Sequence, residues 1–544
     1  MSAFAAFLPP LLVLLLAAPP TGRRLIPLAT VLAPVPALLL ALGLVEAPPA
    51  VVDGFLLDAR LGLDGIGGPF LLATSLLYLF AAVHALGYLR NDPRRLRFGC
   101  FFLVAMAGNL ALPLALDAAS FYLAYAVMGF STWALVDHVG GAAGRHAGRV
   151  YLVWMLVGEV LVLAGLVAGS AVAGGAIELG AIAAAVRAHP WIAALLVLGF
   201  GVKAGLPGLH VWLPPAHSIA PAPASAVLSG AMLKVAVLGW LRLLPGAVDA
   251  AAVLVVVGLV GAFAGALLGL CQRAPKAILA YSSVSQMGFV SCAAGLALGT
   301  GAADRATAAV ALYVVHHALA KAGLFLGTTV ALGTARRPLA LGLLLFLALA
   351  LAGAPLTGGA LAKAAVKDGA PEAVALAFSV AALGSTALLA RYLLVVRRAE
   401  RHGGAPATCW LAFGACTLLA PLVPWLLAAP AVREKVLATG GLWTAAWPVL
   451  LGVALVAAAL VLRVRAPLLP LGDLLGPMER IAALAAGWGG AALAASTAAW
   501  RRIARVAAGL RLPDPAPAER RLAAWQSLGS AFVLLAILLW WAFA

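Results

Sequence analysis

The chain has 544 residues, of which 64% are hydrophobic and only 10% charged. Soluble domains run nearer half apolar and a quarter charged. The composition therefore excludes a cytosolic enzyme, a disordered chain and a secreted disulfide scaffold, and leaves a polytopic all-α membrane protein. The net charge of +17 comes from arginines in short loops between apolar runs, so it reads as topology and not as nucleic-acid binding. Five cysteines, Cys100, Cys271, Cys292, Cys409 and Cys416, form no CxxC pair and read as packing residues. No metal, haem or other cofactor pattern stands out.

Apolar runs of about 17–25 residues predict roughly sixteen spans. Their limits are 4–20, 25–47, 69–90, 98–117, 119–139, 149–172, 191–212, 223–245, 251–271, 276–299, 307–333, 337–369 (interrupted), 372–398, 407–428, 442–463 and 525–543. The first run has no Lys or Arg before it, and Arg23 and Arg24 follow it, so it reads as a retained span and not as a signal peptide. Loops after odd-numbered spans hold arginines, among them Arg94, Arg95, Arg145, Arg336, Arg337, Arg397 and Arg398. Loops after even-numbered spans hold acids instead, among them Asp53, Asp64, Asp117, Glu178, Asp249 and Glu372. The positive-inside rule puts the arginine loops in the cytoplasm and the N-terminus outside. Span nine carries Gly261, Gly265 and Gly269, a ridge that permits close helix packing. Residues 466–522 are rich in arginine among Ala, Leu and Trp, and read as an amphipathic helix on the anionic membrane face or against a partner subunit.

A charge at mid-bilayer costs about 2.5–3.5 kcal/mol on insertion scales, so ionisable residues kept there are functional candidates. Glu159 is the clearest membrane carboxylate, and Lys203 on the next span is its natural partner. Lys203 lies in GFGVKAGLPGLHVWLPPAH, where Pro207, Pro214 and Pro215 break the helix. Irregular backbone at that depth is tolerated only beside protein or water. The competing reading is a lysine snorkelling to the interface. Lys234 lies about eleven residues into span eight, too deep for easy snorkelling. His210 and His217 flank the first break, as either proton carriers or structural imidazoles. On span eleven His317 and Lys321 share a face four residues apart, with His316 turned about 100° away. Lys363 follows a second break at Pro355, Thr357, Gly358 and Gly359, and Lys367 sits one turn on, nearer the interface. Asp137, at the end of span five, reads as interfacial.

With an effective dielectric constant near 20, unit charges about 10 Å apart interact by about 1.7 kcal/mol, or about 1.2 pKa units. Joining or parting a pair such as Glu159–Lys203 can therefore decide whether an amine keeps its proton. The expected mechanism is a water-linked chain of titratable switches: Glu159, Lys203, Lys234, His317, Lys321 and Lys363.

Four stretches carry a family resemblance: KAGLPGLHVWLPPAHSIAPAPASAVLSGAMLKV at 203–235, KAILAYSSVSQMGFV at 276–290, HHALAKAGLFL at 316–326 and GAPLTGGALAKA at 353–364. Across about 60–430 the chain resembles the antiporter-like membrane subunits of complex I, of Mrp-type cation/proton antiporters, and of membrane-bound hydrogenases of the hydrogenase-4 and formate hydrogenlyase type. The resemblance implies about 14–16 transmembrane helices with two inverted five-helix repeats, 98–245 and 251–398, each with a broken helix. Residues 1–97 would be N-terminal helices, 399–465 additional helices, and 466–544 the amphipathic segment with the last span. Lys203 and Lys363 would be the broken-helix lysines, Lys234 the linking lysine, and His317 and Lys321 part of a central hydrophilic axis. One departure stands out: YAVMGFSTW puts Ala126 where the family usually has a fifth-helix glutamate, which implies either that Glu159 substitutes for it or that pumping is weakened or altered.

The resemblance implies a proton- or cation/proton-translocating subunit in the bacterial inner membrane. It would have no catalytic site of its own and would work with other membrane subunits and a soluble redox partner. The alternative it implies is the membrane partner of an inorganic-carbon uptake system, beside a zinc-bearing protein that hydrates carbon dioxide. A nucleotide-binding enzyme is disfavoured, because GFGVKAG at 199–205 is not G-x-G-x-x-G and lies mid-membrane.

Overall fold

The computed structural model describes residues 3–299, 303–401, 403–464, 467–470 and 476–478. The contacts divide the chain into a large unit, residues 1–52 and 56–472, and a second, residues 53–55 with 473–544. Of the second, the described residues are the turn at 53–55 and one helical turn at 476–478. The expected arginine-rich segment lies almost wholly outside the described residues, and the span at 525–543 lies entirely outside them.

Every span expected up to residue 463 has a helical counterpart. Two N-terminal helices, α1 (Phe4–Ala17) and α2 (Ile26–Ala41), are shorter than expected. At 1.5 Å per residue they reach about 21 and 24 Å, against about 30 Å of hydrocarbon. Prolines 9, 10, 20, 27, 34 and 36 crowd this region and limit unbroken helix. Next come two strands not foreseen from the sequence, β1 (Ala50–Val52) and β2 (Ala59–Leu61), paired antiparallel with Ala50 opposite Leu61.

The bundle then runs through α3 (Gly67–Tyr88), α4 (Arg95–Leu114), α5 (Ala118–Val139) and α6 (Gly141–Val172). A pair bent by 118° follows, α7 (Leu179–Ala188) and α8 (Pro190–Ala204). After α8 the chain breaks at Gly205–Trp212, resumes as α9 (Leu213–Ile219), and continues as α10 (Ala222–Leu243). The interrupted span thus reaches beyond its expected limit at 212. Further on are α11 (Val248–Leu270), α12 (Pro275–Gly299) and α13 (Ala303–Gly333). The second interrupted span is α14 (Arg337–Ala352) with α15 (Gly358–Lys367), followed by α16 (Glu372–Arg398), α17 (Ala407–Leu427), α18 (Pro430–Leu437) and α19 (Thr439–Val461). Among the described residues, eleven helices are long and apolar enough to cross a membrane, or twelve with the bent pair.

Residues 95–243, the short α7 apart, and residues 248–398 each run as three long helices, one interrupted helix and one further long helix. The loops gather into two ends. At one, Arg94 donates to the His138 carbonyl at 2.7 Å, Arg337 to the carbonyls of Val396 and Ala399, and Lys276 to that of Ala220. At the other, Arg60 pairs with Glu178 at 2.7 Å and Asp117 accepts from the Arg60 amide. Asp64 there binds the buried Arg242 at 2.8 Å, whose guanidinium also reaches the Pro113 and Ala115 carbonyls. That knot ties the start of α3 and the end of α4 to the end of α10.

Helices α10, α12 and α13 are buried over their whole apolar windows, whereas α19 is only 17% buried. A helix apolar all round belongs in the interior, and α10 and α13 carry the buried Lys234, His316, His317 and Lys321. Glycine sets how closely α11 and α12 approach. A Cβ at Gly265 would stand 2.4 Å from the Ser285 nitrogen, and one at Gly288 2.3 Å from the Ala262 nitrogen.

Candidate functional site

The first cluster forms where α6 and α8 meet through glycine. A Cβ on Gly158 would lie 3.1 Å from the Gly199 carbonyl, and one on Gly199 2.8 Å from the Val162 nitrogen. Glu159 is next to the first contact, and Lys203 is one turn beyond the second. Their side chains meet at 2.8 Å, with exposures of 3% and 1%. Such depth rules out snorkelling for Lys203 within this fold. Lys203 sits in the last turn of α8, where unpaired carbonyls favour a cation. Its Nζ also donates to the Tyr125 carbonyl at 3.2 Å and lies 3.1 Å from the centre of that ring. Gly205, at φ 71°, closes the helix, with the Leu206 amide donating back to Gly201 at 3.0 Å. Trp212 Nε1 donates to the Val202 carbonyl at 2.9 Å, so the far side of the break holds the turn that carries the lysine.

On α5, the position facing this pair is Gly129: a Cβ there would stand 2.7 Å from Glu159 Oε1 and 3.0 Å from Lys203 Nζ. Ala126, where the resemblance led to an expected glutamate, is half-buried. The Tyr151 hydroxyl lies 2.9 Å from the Gly129 carbonyl and 3.3 Å from Met232 Sδ, which bridges the pair's neighbourhood to α10.

The second cluster lines the buried core of α10, α12 and α13. Helix α10 carries a widened turn at Leu228–Met232, and the Lys234 ammonium donates to the Ser229 carbonyl. Such i→i+5 turns are frequent at functional sites. Lys321 donates to the Leu279 carbonyl at 2.5 Å and to Ser282 Oγ at 2.6 Å. Next to Ser282, the Ser283 hydroxyl meets Ser229 Oγ at 2.9 Å. Adjacent serines of α12 therefore stand between the two amines. Both ring nitrogens of the buried His317 lack a hydrogen-bond partner among the described residues, and the charges of Lys234 and Lys321 act on it. His217 stacks on Phe325 with centroids 4.7 Å apart, and Lys321 lies 5.2 Å over the same ring. His210 is buried on the break, its ring 6.0 Å from that of Tyr281.

The third cluster is at the second break. Gly353, at φ 94°, ends α14, and Thr357 Oγ1 caps α15 by accepting from Ala360. Lys363 reaches back across the break to the Ala352 carbonyl at 2.5 Å and lies 5.0 Å from the Phe289 ring centre. His316 turns from the central row toward this break. Its Nδ1 is 3.3 Å from the Ala420 carbonyl, and a Cβ on Gly358 or Gly359 would stand 3.0 Å from its ring. Lys363 is close enough for its charge to act on His316. Lys367 donates to Ser379 at 2.7 Å, on the margin of the cluster. The two breaks differ: Lys203 precedes its break, and Lys363 follows its own.

Asp137 lies apart from these clusters, at the arginine-bearing end, 3.9 Å from Arg97. Beside it, His138 Nε2 meets Asp92 Oδ2 at 3.0 Å, and the Arg94 amide donates to Asp92 Oδ1 at 2.7 Å. Burial alone would raise the Asp92 carboxyl, but the His138 hydrogen bond, the Arg94 amide and both neighbouring charges outweigh it and hold the group below its usual range. A depressed carboxyl stabilises above the unfolded value and loses that contribution as pH falls through the folded one. Stability should therefore drop below about pH 4 in the native chain, and Asp92→Asn should flatten that slope. The difference should be under about 1 kcal/mol, because the group is partly exposed. Melting temperatures across the acid range read it out.

Gly129, Tyr151, Ser229, Ser282 and Ser283 were not singled out from the sequence. The run AYSSVS, four hydroxyls in a buried apolar helix, was the available signal.

A bundle with two interrupted helices and a row of buried cations defines an antiporter-like class of membrane protein. A sequence family described as NADH:quinone oxidoreductase/Mrp antiporter, TM, matches residues 115–389, about half the chain. Hydrogenase-4 component B of Escherichia coli (strain K12) is 30% identical over 297 residues, covering 50% of this chain and 43% of that protein. NAD(P)H-quinone oxidoreductase chain 4 2 of Thermosynechococcus vestitus is 33% identical over 256 residues, covering 45% and 47%. The chain thus spans about half the length of the curated relatives it matches. A chain of the Mrp complex from Dietzia sp. DQ12-45-1b shares the fold at TM-score 0.72 and 21% identity, covering 98% of this chain and 62% of that one. A chain of the membrane-bound sulfane sulfur reductase, an archaeal respiratory membrane complex, does so at 0.68 and 20%, covering 100% and 99%. The chain belongs to the NADH:quinone oxidoreductase/Mrp antiporter transmembrane family, and is a multi-pass membrane protein.

Proposed function

We propose that this chain moves protons, or exchanges a cation for protons, as one membrane subunit of a larger complex in the bacterial inner membrane. Its partners would be further membrane subunits and a soluble redox subunit. The arginine-bearing end would face the cytoplasm, by the positive-inside rule. The two five-helix stretches, alike in element order, would be inverted repeats, since an odd number of crossings reverses direction.

The observation that carries this reading is the buried row itself. Glu159 compensates Lys203 at 2.8 Å, whereas Lys234, Lys321 and Lys363 are held by carbonyls and hydroxyls. Charge on any one of them disfavours charge on the next, because attraction and repulsion are weakly screened in a low-dielectric interior. A proton arriving at one amine therefore pushes on its neighbour. Parting Glu159 from Lys203 would start the change, the serine bridge of α10 and α12 would pass it between Lys234 and Lys321, and His317 and His316 would hand it to Lys363.

Lys203→Ala or Lys363→Ala should abolish coupled ion movement in proteoliposomes containing the chain with its native partners, while assembly persists. Undiminished translocation would refute the reading. Runs with and without Na⁺ separate proton flow from cation exchange. A zinc-bearing protein among the co-purifying subunits would favour the inorganic-carbon alternative.

A further inference from the structure

We propose that His84 is the proton acceptor just behind the wall of a cavity that opens at the arginine-bearing end, and that it feeds the central row. The inference rests on the translocation reading above. The cavity measures about 560 Å³, and Tyr88, Arg90, Asn91, Thr329 and Cys409 are among its lining residues. His84, on α3, is completely buried yet touches three of these residues. Its Nε2 lies 3.1 Å from Thr329 Oγ1, its ring centre 5.4 Å from that of Tyr88, and its carbonyl accepts from Cys409 Sγ at 3.6 Å.

The hydrogen bonds favour one tautomer. Thr329 Oγ1 spends its one hydrogen on the Leu326 carbonyl at 2.8 Å. With that hydrogen engaged it accepts from His84, which puts the ring proton on Nε2 and leaves Nδ1 without a partner among the described residues. A buried base with an open lone pair, separated from a cavity large enough for many waters by the side chains that line it, is placed to take up a proton. Thr329 lies eight residues beyond Lys321 on α13, about 12 Å along the helix. Phe325, which carries Lys321 on its face, lies between them. His84 thus stands between the cavity and the row.

The test compares His84→Gln and His84→Ala with Lys363→Ala in proteoliposomes holding the complex purified with its native partners. Glutamine keeps a donor for Thr329 but relays no proton. Both His84 variants should slow proton uptake by about 10²-fold, a usual contribution of a positioned acid–base group, with unchanged melting temperature. Imidazole added to His84→Ala should restore uptake, since the cavity leads to the vacated position. Wild-type rates in His84→Gln, with Lys363→Ala inactive, would overturn the role of His84 and leave the translocation reading intact. Loss that imidazole does not rescue, with a lowered melting temperature, would make His84 structural and overturn it equally. Full activity in Lys363→Ala would instead overturn the translocation reading.

Discussion

Replacing Glu159 by glutamine is expected to destabilise the bundle by about 3 kcal/mol, the lower end of the cost of stripping one partner from a buried ion pair. The lower end applies because Lys203 keeps the Tyr125 carbonyl and ring. Adding Lys203→Met should restore most of that stability, since an apolar side chain of similar length needs no counter-charge. Transport should not return with it. Unfolding in detergent measures the first effect and proteoliposome assays the second. A single variant as stable as the native chain would mean that the pair contributes little. Restored transport in the double variant would mean that neither group takes part. The same cycle on Lys234 has no equivalent, because no carboxylate faces it among the described residues.

Gly265→Leu is expected to have the larger structural effect. The first added atom already falls 2.4 Å from the Ser285 nitrogen and 2.9 Å from its Cα, both in the backbone of α12. Backbone cannot swing aside as a side-chain tip can, so α11 must move off α12. Overpacking costs about 1–3 kcal/mol where rotamers can give, and more is expected here. Gly342→Ala is the control. A Cβ there meets nothing within 4 Å, on an exposed position of α14. It should be neutral or gain about 0.5–1 kcal/mol from helix propensity. Equal melting temperatures for the two variants would show that the glycine contact is not tight.

Much of this arrangement was legible in the sequence because lipid makes ionisable residues expensive. Glu159, Lys203, Lys234, His317, Lys321 and Lys363 stand out against Leu, Ala and Val, and the prolines after Lys203 mark its break. Where the helix resumes was less legible: the expected span stopped at 212, yet α9 runs over Leu213–Ile219. Prolines at its first turn start that helix, and the same residue type elsewhere ends one. The N-terminal helices were expected too long because an apolar run measures hydropathy and not helical continuity. Gly129 was hidden for another reason. Its role is to be absent beside Glu159 and Lys203, and one glycine among 58 announces nothing until the neighbours are known. Serine bridges and the His84 contact likewise depend on partners 54 and 245 residues away.

The Lys363 contact with Ala352 makes the second interrupted span a charge-sensitive joint. The amine belongs to one segment, and the oxygen it holds is the final acceptor of the other. An ammonium grips a carbonyl dipole far more strongly than a neutral amine does. Protonation of Lys363 would therefore tighten the elbow, and its loss would slacken it. In the translocation proposed above, ion traffic and backbone posture would be mechanically one event at that point, with no separate lever needed to connect them.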